Sequence, residues 1–248
     1  MKIAIQLCLF ILLGFESFSQ PNPREDIGLT VFDSLKEYHY KAIYIGIDGD
    51  TLSNEKIVLK PTGKPWKFQK SQTAYRVIYK YSKEDSIKIS KLPNPTSVGR
   101  RKQKPIFLEK EVTTGALENP HELWMHPFRE NQYVYTEIAP FPDVRKDSLE
   151  IGAQWKTRLN IMIGLGSFKG KVNCQYNVVG KGDRKYKNLL LKDCWEIEST
   201  GTHSKLGVSQ LNFYYHKKYG FVELNYRFYD GTIIQFSLLD VIELYNKE

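Results

Sequence analysis

The densest run of chemically capable side chains lies between Glu118 and Val144, where Trp124, His126, Arg129 and Tyr135 fall close together. Trp and Tyr offer flat apolar faces with a polar edge, and Arg can grip a carboxylate bidentately. The set therefore has the chemistry of an aromatic and cationic recognition patch for polysaccharide or protein. A plain packing role competes with it: Trp124, Phe128 and Phe141 can plug one end of a sheet while neighbouring prolines fix the loop. Aromatic side chains bury large areas and usually serve a core, so the packing role is the expectation to beat.

Other motifs fall short of a reaction. His121 and Glu122 with His126 approach the zinc-protease pattern of two histidines and a glutamate, but the histidines are one residue too far apart. Five residues apart on a helix they diverge by about 140°, and Pro120 and Pro127 limit any helix to a turn or two. The glycines of Gly164–Gly170 lack dinucleotide-loop spacing, and the run leads into a strand pattern, not the helix N-terminus that phosphate binding of that type needs. Asp48 and Asp50 are too few for a calcium ion's oxygen shell. No cofactor or metal is expected. A Ser/His/Asp triad assembled across strands would leave no trace in the order of residues, so a hydrolase stands as the third reading of function.

Cys174 and Cys194 invite a disulfide if the chain is exported. Strand alternation argues against it. Val172, Cys174, Tyr176 and Val178 share one face, whereas Leu189, Leu191, Trp195 and Ile197 form the apolar face of the next strand and put Cys194 on the other side. A bulge would reverse that parity.

The elements that must position these residues read as mainly β. Tyr75, Val77, Tyr79 and Tyr81 alternate with polar positions. A hairpin is expected from Lys41–Ile47 through Asp48-Gly49-Asp50 to Lys56–Leu59. Residues 28–38 are the best helix candidate near the N-terminus, and 91–120 is an irregular, proline-punctuated tract. Strands are expected at Gln132–Ile138, Gln154–Ile163, Lys171–Val179, Leu189–Ser199, Val208–Tyr215, Phe221–Tyr229 and Thr232–Leu239, the last two joined by Asp230-Gly231. A two-residue turn there would set Phe228 opposite Ile233, Arg227 opposite Ile234 and Asn225 opposite Phe236, with apolar side chains on both faces. Short connections make the 131–240 region an antiparallel meander, and the lack of intervening helices excludes a doubly wound α/β fold.

The N-terminus has Lys2, an apolar run from Ile3 to Leu13, then Gly14 and the small polar Ser17 and Ser19. That is the order of a secretory leader, with cleavage expected after Ser19. The run is shorter than the roughly 20 residues a membrane-spanning helix needs. The mature chain, 20–248, is expected to be one β-rich domain without a transmembrane span, periplasmic or envelope-associated or released. The chain's 36 Lys and Arg against 28 Asp and Glu give +8, and losing Lys2 and Glu16 with the leader leaves that balance unchanged. Such charge suits solubility or an anionic envelope component, and export removes nucleic acid as a partner. Arg100, Arg101, Lys102 and Lys104 read as a solvated loop.

Ile151-Gly152-Ala153-Gln154-Trp155, Asp193-Cys194-Trp195-Glu196-Ile197, Tyr214–Val222 and Tyr229-Asp230-Gly231 resemble segments of exported Gram-negative proteins of unknown function. Their antiparallel half-barrel is similar to that of the lipoprotein-localisation carriers. The resemblance spans about residues 121–241, and implies an open curved sheet whose concave face holds an acyl chain or another apolar ligand. It brings no catalytic residue. A cleft lined by Trp155, Tyr176, Trp195 and Phe213 without a polar cluster would mark the leading reading, a non-catalytic protein that binds an apolar or amphipathic ligand such as a lipid.

Overall fold

The structure, a computed structural model, describes residues 30–92, 94–97, 105–161, 163–186 and 189–244. The expected leader and the Arg100–Lys104 cluster lie outside them. Twelve strands form one sheet: β1 (Lys36–Ile45), β2 (Thr51–Trp66), β3 (Gln69–Lys80), β4 (Glu111–Glu118), β5 (Glu122–Met125), β6 (Asp143–Arg145), β7 (Gln154–Ile161), β8 (Gly170–Tyr186), β9 (Leu189–His203), β10 (Gly207–His216), β11 (Gly220–Arg227) and β12 (Ile233–Glu243). Their spatial order is β6-β5-β4-β3-β2-β1-β12-β11-β10-β9-β8-β7. Two meanders thus meet where the first strand pairs with the last, and every paired neighbour is antiparallel.

Alternation explains the strands. In β3, Tyr75, Val77 and Tyr79 are buried, and in β10 Ser209, Leu211, Phe213 and Tyr215 are. Each large apolar side chain taken out of water contributes about 1.5–3 kcal/mol, so these faces drive the curl around one core. Helix α1 (Lys83–Lys91) is capped by Ser82, whose hydroxyl accepts from the Asp85 amide at 3.0 Å. Glu84 and Asp85 in its first turn and Lys88 and Lys91 in its last suit the helix dipole.

Four expectations are corrected. Asn131–Ile138 is a 3-10 helix, not a strand, and all eight of its residues are buried. It lies within the curl: Tyr133 and Gln132 donate to Glu55, and Gln132 Nε2 also reaches Ser53 Oγ at 3.2 Å. Residues 30–35 turn, and β1 starts at Lys36, where a helix was expected over 28–38. Within the 91–120 tract, β4 pairs with β3 and continues the sheet. Finally, the β11–β12 register is one residue off: Arg227 pairs with Ile233 and Leu224 with Phe236. The turn is longer than two residues, with the Phe228 amide donating to the Thr232 carbonyl at 2.9 Å. One step of register exchanges faces, so Leu224, Tyr226, Ile234 and Phe236 share a single buried face.

Both thiols are free and buried. Cys174 stands opposite Gly201 and Cys194 opposite Gly182. The ladder between those points is about 26 Å long at 3.3 Å per residue, far beyond a disulfide's reach.

Candidate functional site

Strands β6 and β7 are the two edges of the sheet. Asp143 and Arg145 of β6 nonetheless line the same cavity as Thr157, Leu159 and Ile161 of β7. The sheet curls until its edges face each other, and a cavity of about 480 Å³ occupies the seam between them. Trp124 and Phe141 supply aromatic wall, and Leu159, Ile161 and Leu165 aliphatic wall. Gln69, Gln72, His126, Arg129, Glu137, Arg158 and Asn160 complete its polar part.

His126 is held among three aromatic rings: Trp66 at 5.2 Å, Phe141 at 5.4 Å and Trp124 at 5.5 Å between centroids. Its backbone carbonyl accepts from the Tyr75 hydroxyl. Burial, aided by the Arg129 charge, pushes its imidazole pKa down to about 3, so the ring is neutral. Arg129 is fixed from three sides, donating to His126 Nδ1 at 3.2 Å, Glu137 at 2.8 Å and Thr114 Oγ1 at 3.1 Å.

At the β6 edge, Arg145 bonds Glu122 and reaches Asp143 Oδ2 at 3.1 Å. Burial raises the Asp143 carboxyl to about 6 against the pull of Arg145. Its other oxygen, Oδ1, meets no donor, although the residue is only 5% exposed. Gln72, 2% exposed, is in the same condition: its Nε2 donates to Gln69 at 2.7 Å while Oε1 has no partner. Gly115 makes room for this floor, since a Cβ there would lie 2.6 Å from the Trp66 ring and closer still to Gln72 Oε1. Buried acceptors without donors are costly and rare. Two residues of one cavity wall, Gln72 and Asp143, each carry such an acceptor.

Of the residues singled out in the sequence, Trp124, His126 and Arg129 line this cavity. Tyr135 does not: its hydroxyl donates to Asp230 at 2.9 Å and its ring packs on Phe168 and Phe228. The set Trp155, Tyr176, Trp195 and Phe213 lines no part of the seam cavity. Tyr176 and Phe213 are core, and Trp155 stacks flat on Tyr176 at 5.1 Å. Trp195 lies beneath Lys181. Pro140 occupies the space over Gly201, and Tyr176 donates to the Phe141 carbonyl at 2.9 Å, so the segment after the 3-10 helix covers the concave face there.

Among the described residues, no histidine is hydrogen-bonded to a serine or cysteine side chain. His121 pairs with Asp147 at 2.6 Å in the open, His203 bonds the Phe168 carbonyl, and His126 meets an arginine. Among the described residues, no cluster of three or more His, Cys, Asp or Glu is placed to hold a metal ion.

No family model and no curated protein matches this chain. Solved structures do. A candidate exported protein with a YmcC-like fold from Bacteroides fragilis is similar at 7% identity and a TM-score of 0.49, covering 84% of this chain and 96% of its own. A candidate lipoprotein from Parabacteroides distasonis shows 8% identity and a TM-score of 0.44, over 86% and 98% of the two chains. For the hypothetical lipoprotein YmcC from Escherichia coli the values are 6% and 0.36, over 82% and 84%. At this distance the likeness carries no argument about ligand or activity.

The cavity residues that sequence reasoning missed include Gln72, Glu137, Asp143 and the β7 aliphatics. They come from segments far apart in the chain, and only Asp143, a lone acid among the apolar residues and prolines of 139–144, stands out locally.

Proposed function

We propose that this chain is an exported, non-catalytic protein of the cell envelope that binds an amphipathic, hydroxyl- or amine-bearing ligand of the sugar type in the seam cavity. The leader-like N-terminus supports export. The observation that carries the binding reading is the lining itself: Gln72 and Asp143, each with one buried acceptor that has no partner, stand beside the aromatic wall of Trp124 and Phe141. A sugar presents donors along its edge and an apolar face to an aromatic ring, which is the complement of that arrangement. The neutral His126 and the Glu137-bound Arg129 add orientation without strong net charge.

A purely apolar ligand is the second reading, supported by Leu159, Ile161 and Leu165 on the facing wall. Native mass spectrometry of protein purified from its own envelope fraction separates them, combined with calorimetric titration of neutral and amino sugars. A co-purifying or titrating glycan, lost in Trp124→Ala, supports the proposal. A bound acyl chain with no sugar affinity favours the second reading, and apo protein inert to both sinks the two together.

A further inference from the structure

On the sheet around the β2–β3 hairpin lies a second concavity of about 450 Å³, lined by Lys36, Lys60, Lys64, Lys67 and Arg76 together with Pro61, Pro65 and Ala74. None of its residues belongs to the seam cavity. We propose that this basic trough is a binding site for a phosphoryl group, carried either on a lipid headgroup or on a soluble phosphorylated molecule.

The trough is shaped by an irregularity in β2. Pro61 pairs with Tyr75 and Pro65 with Thr73, so three residues of β2 bulge opposite Ala74 alone. Gly63 takes a φ of +65° within the bulge, which a residue with a Cβ adopts only under strain. Thr62 pins it: its hydroxyl donates to the Ala74 carbonyl at 2.8 Å and accepts from the Lys64 amide at 3.2 Å. Bulges of this kind re-aim side chains, and here the bulge brings Lys64 to the rim of the trough.

Charge balance points to an anion. Lys60 pairs with Glu37, and Arg76 pairs with Glu111. Lys64 and Lys67 have no acidic partner among the described residues, and Lys67 lies over the Phe68 ring. Lys36 is nearly buried and donates to the Thr30 carbonyl. Burial lowers its pKa in spite of the acids near it, so a further negative charge close by would favour its charged form.

The geometry favours phosphoryl over carboxylate. Bidentate capture of a carboxylate is the work of an arginine fork. The only arginine among the described residues of the trough, Arg76, already spends its fork on Glu111, through Nε at 2.5 Å and Nη2 at 2.8 Å. What remains are lysines, compact point charges with rotatable donors, suited to the spread oxygens and higher charge of a phosphoryl group.

The test uses the mature chain, with calorimetric titration of pyrophosphate and of glucose 6-phosphate at ionic strength matched with chloride, and flotation with phosphatidylglycerol or phosphatidylcholine vesicles. Binding of the soluble phosphates alone assigns a soluble ligand. Flotation with phosphatidylglycerol but not phosphatidylcholine, without soluble binding, assigns a headgroup. In either case Lys64→Glu with Lys67→Glu should weaken binding at least tenfold while leaving the thermal midpoint and any sugar affinity of the seam unchanged. Both lysines are surface groups, so the variant should fold; Lys64→Arg with Lys67→Arg should retain binding. No binding in any arm, or equal binding by the charge-reversed variant, overturns the proposal, as does a preference for polygalacturonate over every phosphate.

Discussion

Nη1 of Arg129 stands 3.2 Å from Nδ1 of His126 and 2.8 Å from a carboxylate oxygen of Glu137. A guanidinium only donates, so Nδ1 accepts and the ring carries its one proton on Nε2. An imidazole so placed does not take up a second proton at moderate pH, so His126 itself adds no charge to the cavity there.

The first consequence is acid lability. An unfolded histidine titrates near 6.5, whereas folded His126 resists protonation down to about 3. Between those values the unfolded chain binds the extra proton, so stability falls as pH drops through the window, by at most about 1.4 kcal/mol per pH unit. Urea unfolding at stepped pH should show this acid limb, and His126→Phe should flatten it. An equally steep limb in the variant would refute the assignment.

Glu55 acts on the other side. Burial pushes its carboxyl up to about 8 from the ordinary 4.5. Folded Glu55 keeps its proton while the unfolded form has lost it, so stability declines as pH rises from 4.5 through 8. Glu55→Gln retains an acceptor for Tyr133 and Gln132 and has nothing to ionise. Its denaturation midpoint should therefore exceed wild type near pH 8 and lose the alkaline slope.

On the proposed binding reading, Asp143 should make affinity depend on pH. Its carboxyl, raised to about 6, is the better acceptor when ionised. Affinity for a donor-rich ligand should rise as pH increases through 6, and Asp143→Asn should bind more weakly with a flat profile. Titration at several pH values decides between these outcomes.

Gly201→Ala should loosen the cover over the concave face. A Cβ there would lie 2.9 Å from both Pro140 and Val172, neither of which is a flexible chain end. The expected cost is about 1–3 kcal/mol, the usual range for overpacking, read from chemical denaturation.

The thiols should be silent in the native state. Burial lifts both Cys174 and Cys194 to about 11, and a thiol reagent needs an accessible thiolate. Native protein should react at neither, and denatured, unreduced protein at both. Failure of the denatured protein to react without prior reduction would reveal a disulfide.

Strand alternation made most of the second meander readable, because β8, β10 and β11 each bury one face and wet the other. It misled at Asn131–Ile138. There Tyr133 and Tyr135 alternate as in a strand, yet the segment lies inside the curl and has no wet face. Periodicity cannot tell such a buried 3-10 helix from a buried strand. The β11–β12 slip came from turn length, which Asp230-Gly231 alone does not determine. Trp124, His126 and Arg129 could be chosen from local density, but Gln72, Glu137 and Asp143 could not. Their association depends on the closure of a sheet, which is a property of all its strands together.

That closure has a mechanical side. The cavity walls belong to opposite ends of a twelve-strand ribbon, separated by eleven strand interfaces. A change of about one degree at each, small beside the ordinary spread of inter-strand twist, accumulates to roughly ten degrees between β6 and β7. Repacking anywhere in the barrel, even at the β1–β12 junction, is thus delivered to the seam as a change of aperture. The cavity is a gauge on which the whole sheet registers its strain, and a ligand gripping both walls reads against every strand between them.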